Sequence, residues 1–374
     1  MNFPHIPDAA SRECFRGCLL GGAVGDALGA PVEFMSRASI LKRFGEAGIR
    51  DLAPAYGRVG AITDDTQMAL FTAEGMLRSL VRGTLRGLCH PPGVIAHAYQ
   101  RWLHTQGVAH PLQAHCLDGW LIQNAELFDQ RAPGNTCLSA LQAMRSVGEP
   151  AENNSKGCGG VMRVAPVGMM LAALSPMDVV HDGDLQQSFM LGCEAAGITH
   201  GHPTGQLASG AFAAIVYLLL KGKSLMEAAD EALRLLATRP DHGETTAAIR
   251  HALELAASQP RSHEALSTLG EGWIAEEALA IGLYSALCAS DFEAGVVMAV
   301  NHDGDSDSTG LIAGHLLGAI HGVSAIPARW LEPLELRTVL EEVADDLATC
   351  GLWTLDEYGS GDEQNYYCER YPGG

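Results

Sequence analysis

Two short acid-rich segments, Thr63-Asp64-Asp65-Thr66 and Asp303-Gly304-Asp305-Ser306-Asp307-Ser308, stand some 240 residues apart, and each leads straight into an apolar stretch that reads as a helix. Asp, Ser and Thr at such positions cap helix N-termini, and Asp64 with Gln67 fits the spacing of a capping box. One carboxylate suffices for a cap, and here there are several. Carboxylates crowded at the mouth of a buried helix repel one another and are costly to desolvate, so the two segments read as halves of one cation site. Hard oxygen ligands of this kind favour Mg2+, Mn2+ or Ca2+ over zinc. An EF-hand loop is excluded for the second segment. Counted from Asp303, its sixth and twelfth positions are Ser308 and Gly314 instead of the required Gly and Glu.

Two further segments have chemical potential. Residues 153–168 read Asn-Asn-Ser-Lys-Gly-Cys-Gly-Gly-Val-Met-Arg-Val-Ala-Pro-Val-Gly, a Gly-rich turn feeding a helix N-terminus. Free backbone N–H groups there suit phosphate oxygens, and a plain loop has the same composition. It matches neither a Walker A loop nor a dinucleotide-binding turn. Thr199-His200-Gly201-His202-Pro203 joins two helical stretches, with no third His or Cys at a zinc-site spacing.

The elements that must position these residues are helical. Apolar periodicity predicts helices over 12–30, 64–82, 93–105, 114–130, 136–146, 160–174, 185–198, 204–221, 224–237, 244–257, 275–289, 291–300, 308–321 and 333–349, with almost no strand-like alternation. The expected fold is all-α, one compact multi-helix domain over 12–350, with an extension at 1–11 and a loosely attached polar tail at 351–374. Gly17, Gly21, Gly25 and Gly29 in the first helix, and Gly310, Gly314, Gly318 and Gly322 in a late one, recur every four residues and fall near one face of each. Glycine costs about 1 kcal/mol per helical position relative to Ala, so eight of them predict two helices in very close backbone contact. That contact would hold Glu33 near Asp305 and Asp307.

The composition, 47% hydrophobic with 18% charged, is ample for a core, and the formal charge of −20 argues against a nucleic-acid partner. Ten scattered cysteines without a Cys-x-x-Cys pair read as reduced core thiols. The first residues lack the pattern of a signal peptide, and the longest apolar run, Leu207 to Leu220, is too short to span a bilayer. A cytoplasmic protein without a membrane partner is expected.

Five segments now line up in order: Gly21-Gly22-Ala23-Val24-Gly25-Asp26-Ala27-Leu28-Gly29 with Glu33, Thr63-Asp64-Asp65-Thr66, Gly157-Cys158-Gly159-Gly160-Val161-Met162-Arg163, Thr199-His200, and Gly304-Asp305-Ser306-Asp307-Ser308. This set resembles the ADP-ribosylglycohydrolase family, all-α dinuclear-magnesium hydrolases, over roughly residues 12–325. The resemblance implies that Thr63, Asp64, Asp65, Asp305, Asp307 and Ser308 hold two Mg2+ ions, with Mn2+ as the alternative. It further implies that Ser155, Gly157, Cys158, Gly159 and Gly160 cradle the substrate diphosphate, and that His200 contacts its ribose or phosphate. Ser308 and Cys158 stand where the family more often has Thr and Asn.

The implied reaction is hydrolysis of the bond between ADP-ribose and an arginine side chain of a modified protein, with Glu33, Asp64 and Asp305 as catalytic candidates and Glu33 first for proton transfer. Serine-linked or other O-linked ADP-ribose is the alternative substrate that the resemblance allows. A role of another class is binding and blocking an ADP-ribosyltransferase or toxin, for which the negative charge and the N-terminal extension would suit a basic partner.

Overall fold

The computed structural model describes residues 9–176, 179–356 and 361–373. The fold is all-α, with seventeen α-helices among the described residues. In chain order they are α1 (Ala9–Gly29), α2 (Arg37–Phe44), α3 (Asp64–Arg86), α4 (Pro91–Thr105), α5 (Asn135–Ala143), α6 (Ala165–Ala173), α7 (Asp182–Gly197), α8 (Pro203–Leu220) and α9 (Leu225–Leu236). They continue as α10 (Gly243–Ser258), α11 (His263–Ser267), α12 (Ala275–Cys288), α13 (Phe292–Val300), α14 (Ser306–His321), α15 (Ala328–Leu331), α16 (Arg337–Thr349) and α17 (Asp362–Arg370). One antiparallel hairpin, β1 (Pro54–Ala55) with β2 (Arg58–Val59), pairs Pro54 with Val59 and Ala55 with Arg58.

The glycine pattern does what its spacing predicts. α1 and α14 run antiparallel in direct backbone contact. A Cβ at Gly17 would stand 2.3 Å from the Gly318 carbonyl oxygen, one at Gly21 2.4 Å from that of Gly314, and one at Gly25 2.0 Å from that of Gly310. The last rung puts Gly29 against Ser306 and Asp307. No side chain fits between the helices, so the end of α1 and the start of α14 share one corner of the molecule. α12 and α13 pack on α14, and α16 packs on α1. α8 packs on α6, α7 and α9. It is long and apolar enough to cross a membrane by length and composition, yet 89% of it is buried inside the protein.

The structure departs from the predicted elements: α2, α11, α15 and the hairpin were not predicted, and the stretch 160–174 begins as a 3-10 turn, Cys158–Arg163, before α6. Residues 114–130 form three short 3-10 turns, Pro111–His115, Leu121–Gln123 and Ala125–Leu127, instead of a helix. Buried guanidinium groups take the carbonyls a helix would need: Arg101 Nη1 donates to Cys116 O at 3.1 Å and Arg78 Nη2 to Asp118 O at 2.5 Å. Gly119, at φ 87°, then turns the chain the other way. The described residues of the tail, 351–356 and 361–373, are not loose. Arg370 Nε donates to Asp346 Oδ2 at 2.7 Å, fully buried Tyr371 donates to the same oxygen, and Trp353 stacks on Tyr367 at 3.7 Å. Polar composition hid the aromatic contacts that fasten it. Of the extension at 1–11, residues 1–8 lie outside the described residues, and α1 already begins at Ala9. Among the described residues no disulfide joins the cysteines.

Candidate active site

The corner built by α1 and α14 is completed by the N-terminus of α3. Asp26, one turn before the end of α1, is fully buried and aims its carboxylate at that N-terminus. It accepts from the Thr63 amide at 3.0 Å, from the Thr66 amide at 3.2 Å and from the Thr66 hydroxyl. A carboxylate bonded to the first amides of a helix is favoured by their orphan donors and by the helix dipole. The preceding loop is clamped from outside, where Glu335 accepts from the Ile62 amide at 3.1 Å and from Arg131 at 3.2 Å. The Asp64 amide donates to Arg131 O at 3.0 Å. With the backbone fixed on both sides, Asp64 and Asp65 enter one cavity.

Opposite them, α14 brings Asp305, Asp307 and Ser308. The Ser308 hydroxyl donates to Asp65 Oδ2 at 2.7 Å, so the two acidic segments, distant in sequence, touch. Glu33, on the turn after α1, completes the cluster: ligand oxygens of Glu33, Asp305 and Asp307 all lie within 4.8 Å of one another. One oxygen of Glu33, Oε2, is buried without a hydrogen-bond partner. Burial, and after it the charge of Asp307, pushes the carboxyls of Glu33, Asp64, Asp65 and Asp305 well above the usual carboxylate range. Asp26 is pushed up to about 7 by the same two causes.

Glu33, Asp64, Asp65, Asp305 and Asp307 line a cavity of about 500 Å³, together with Ser308, Gly157, Cys158, Gly159 and His200. A cavity of about 620 Å³ between α7 and α9 is larger but has no buried carboxylate cluster. Chemistry, not volume, singles out the smaller one. Three of the expected residues stand behind the cavity wall. The Thr63 hydroxyl accepts from the Asp65 amide at 3.3 Å, Ser155 Oγ accepts from the Gly157 amide at 3.3 Å, and Gly160 packs on Ala196 and Ser209.

The Gly-rich loop is tied to residues 273–275. The Cys158 amide donates to Trp273 O at 3.1 Å and the Ala275 amide to Lys156 O at 2.9 Å. Two amides of the expected phosphate cradle, those of Gly157 and Cys158, are therefore engaged within the protein. The Cys158 thiol donates to Asp305 Oδ2 at 2.8 Å. His200 contributes a donor to the same wall. Buried Arg163 donates to Thr199 Oγ1 at 2.6 Å, which leaves the Thr199 hydroxyl to donate to His200 Nδ1 at 2.8 Å. That network assigns the proton of the neutral ring to Nε2, which faces Gly157 and Gly159. Burial, then Arg163, lowers the imidazole to about 3, so it remains a neutral donor.

The donor set fits divalent cations. It is made of carboxylates and a hydroxyl, one carboxylate oxygen lacks a partner, and among the described residues no Lys or Arg side chain lines the cavity to balance the charge. The sequence had pointed to most of this set by residue type. Asp26 was visible only as part of the glycine-rich motif, and Phe34 and Trp273, which also line the cavity, gave no signal because an aromatic side chain has no spacing rule of its own.

The profile of the ADP-ribosylglycohydrolase family matches residues 7–355. The chain belongs to the ADP-ribosylglycohydrolase family. This family member is 31% identical to an uncharacterized protein of Archaeoglobus fulgidus, over 90% of this chain and 96% of the other. It is 28% identical to the ADP-ribosyl-[dinitrogen reductase] glycohydrolase of Rhodospirillum rubrum, over 94% of this chain and all of the other. A solved structure described as an ADP-ribosylglycohydrolase-related protein complex superposes with a TM-score of 0.64 at 28% identity, covering 91% of this chain and 99% of that one. The ADP-ribosylglycohydrolase fold thus extends over nearly the whole molecule.

Proposed function

We propose that this ADP-ribosylglycohydrolase hydrolyses the bond between ADP-ribose and an arginine side chain of modified proteins, and that it uses two divalent cations, Mg2+ or Mn2+. The observation that carries the reading is the meeting of α1, α3 and α14 at one cavity whose buried carboxylates have no cationic side chain beside them among the described residues. Asp64, Asp65, Asp305, Asp307 and Ser308, with Thr63 behind them, would hold the cations. When bound, these supply Lewis-acid stabilisation and a template for the ribose hydroxyls.

The chain's own residues supply the rest. His200 Nε2–H stands on the wall beside Gly159, where it can donate to a phosphate or ribose oxygen. The Cys158 thiol donates to one oxygen of Asp305 and the Ser308 hydroxyl to one of Asp65, which fixes both carboxylates at the cavity. Glu33, with an unpartnered oxygen beside Asp305 and Asp307, is placed to move a proton as water adds to the anomeric carbon and the guanidine nitrogen departs. The choice of arginine is supported by 24% identity to the ADP-ribosylarginine hydrolase Tri1 of Pseudomonas putida. The 25% identity to the ADP-ribosylhydrolase ARH3 of Bos taurus makes O-linked ADP-ribose the control substrate.

The deciding experiment measures ADP-ribose release from an arginine-ADP-ribosylated protein with Mg2+, with and without EDTA, beside a serine-linked substrate. Chelator-sensitive release from arginine is the expected result. Release from serine alone would overturn the linkage, and release in EDTA would overturn the cation requirement.

A further inference from the structure

The end of α3 remote from the acidic corner borders a second cavity, of opposite sign. Asp64 and Asp65 open the helix and Arg78 and Arg82 stand near its close, about 20–27 Å away at 1.5 Å per residue. There Arg78, Arg82 and Arg101, with His90 and His97, line a cavity of about 590 Å³ whose lining includes a single carboxylate, Asp118. In a chain of formal charge −20 such a gathering of cationic groups is local.

The hydrogen bonds around this cavity show what it lacks. Arg101 is only 1% exposed; its Nε donates to Glu74 Oε2 at 2.8 Å and its Nη1 to Cys116 O at 3.1 Å, but its Nη2 is buried without a partner. A buried guanidinium N–H left in that state is costly, and an acceptor held in the cavity would satisfy it. Glu74 cannot be that acceptor alone, because its other oxygen already accepts from Arg78 Nη2 at 3.0 Å. The N-terminus of α4 adds to the same field. His90 is its N-cap without a side-chain cap bond, Pro91 and Pro92 have no N–H to offer, and Gly93 and Val94 of the first turn line the wall. The positive end of a fifteen-residue helix therefore borders the cavity. Burial, and after it Arg101, Arg78 and Arg82, hold the His97 imidazole below its ordinary value, as a positive surrounding does to a neutral base.

The tail forms one wall: Arg78 Nη1 donates to Pro372 O at 3.4 Å and Arg82 Nη1 to Gly373 O at 2.8 Å. Leu88, Val94 and Val147 supply an apolar part of the lining. Guanidinium forks beside a helix N-terminus suit the oxygens of a phosphate. The volume is several times that of a phosphate group, so an occupant that fills the cavity has an organic part as well.

We propose that this cavity binds a small phosphomonoester, its phosphate on Arg82 and Arg101 beside the N-terminus of α4 and its organic part against Leu88 and Val147. The site is separate from the acidic corner, so the proposal stands whichever ADP-ribosyl bond the enzyme cleaves.

Isothermal titration calorimetry of the full chain tests it, with phenyl phosphate and inorganic phosphate as probes, in EDTA so that no cation draws phosphate to the acidic corner. Phenyl phosphate is expected to bind one site per chain about tenfold more tightly than inorganic phosphate, because its ring adds apolar contact. Arg82→Gln, at the half-buried rim, should weaken phenyl phosphate about tenfold or more, with thermal melting as the check that the variant is folded. His200→Ala, at the distant acidic cavity, should leave the affinity within about twofold. As a readout at the site itself, the imidazole NMR signals of His97 should shift when phenyl phosphate is added to the wild-type protein. Heat without a shift at His97, or binding that is lost in His200→Ala and kept in Arg82→Gln, would place the ligand elsewhere and overturn the proposal. No heat with either probe would overturn it outright, and equal affinity for the two would overturn the assignment to an ester. Binding that emerges only after removal of Gly374, which lies outside the described residues, would mean that the chain itself fills the cavity, and the proposal would fall.

Discussion

Asp307 is the carboxylate to which the others answer. After burial, its charge is the largest cause of the upward shift at Asp26, Glu33, Asp64, Asp65 and Asp305 alike. Without cations, then, Asp307→Asn should relieve five neighbours at once. In EDTA this variant should melt at least as high as the wild type, by a margin on the order of 1–3 kcal/mol, whereas added Mg2+ should stabilise only the wild type. Differential scanning fluorimetry in both buffers checks this, and a wild type that is already the more stable in EDTA would refute it. His200 acts by a different route, as a neutral donor held by Thr199 and Arg163. His200→Ala should raise KM about tenfold and leave kcat nearly unchanged in steady-state assays, since it removes binding to substrate and transition state alike. The acidic residues were legible because several carboxylates before one helix exceed what a cap needs. Asp26 was not, because its role depends on which helix end it faces.

The contact between α1 and α14 is what joins the two acidic segments, and it tolerates no side chain. Gly314→Ala would gain about 1 kcal/mol of helix propensity, but its Cβ would fall 2.0 Å from the Gly21 carbonyl oxygen, which cannot yield without separating the helices. A net loss of about 3 kcal/mol or more is expected in urea unfolding, with activity lost in parallel as Ser308 withdraws from Asp65. Gly83 in α3 is the control. A Cβ there meets nothing nearer than the Cys89 side chain at 3.6 Å, so Gly83→Ala should stabilise the protein by about 0.5–1 kcal/mol in the same experiment. Spacing by four made this element readable from sequence. The stretch 114–130 misled because its apolar periodicity is real but its carbonyls are bonded by Arg78 and Arg101, two residues of other helices whose positions no local pattern reveals.

On the scale of the whole molecule, the layers meet at His315, a fully buried imidazole of α14 that faces Gly22 of α1 and leans on Phe212 of α8. Its Nδ1–H donates to Cys18 O at 2.8 Å, and its Nε2 is buried without a partner, so the ring is neutral in the folded protein. Burial lowers it to about 4 from an ordinary 6.5. A depressed imidazole contributes stability that is fully present above the unfolded value and is lost as pH falls towards the folded one. This residue alone should therefore remove up to about 3 kcal/mol between pH 6.5 and 4. Because it touches α1, α8 and α14, the loss should appear as global unfolding and not as local fraying. NMR of the imidazole protons provides the check: His315 should keep its neutral shifts down to about pH 4. Titration of His315 at an ordinary value would mean that water reaches the seam between α1 and α14, and the rigidity that holds the two acidic segments together would then need another source.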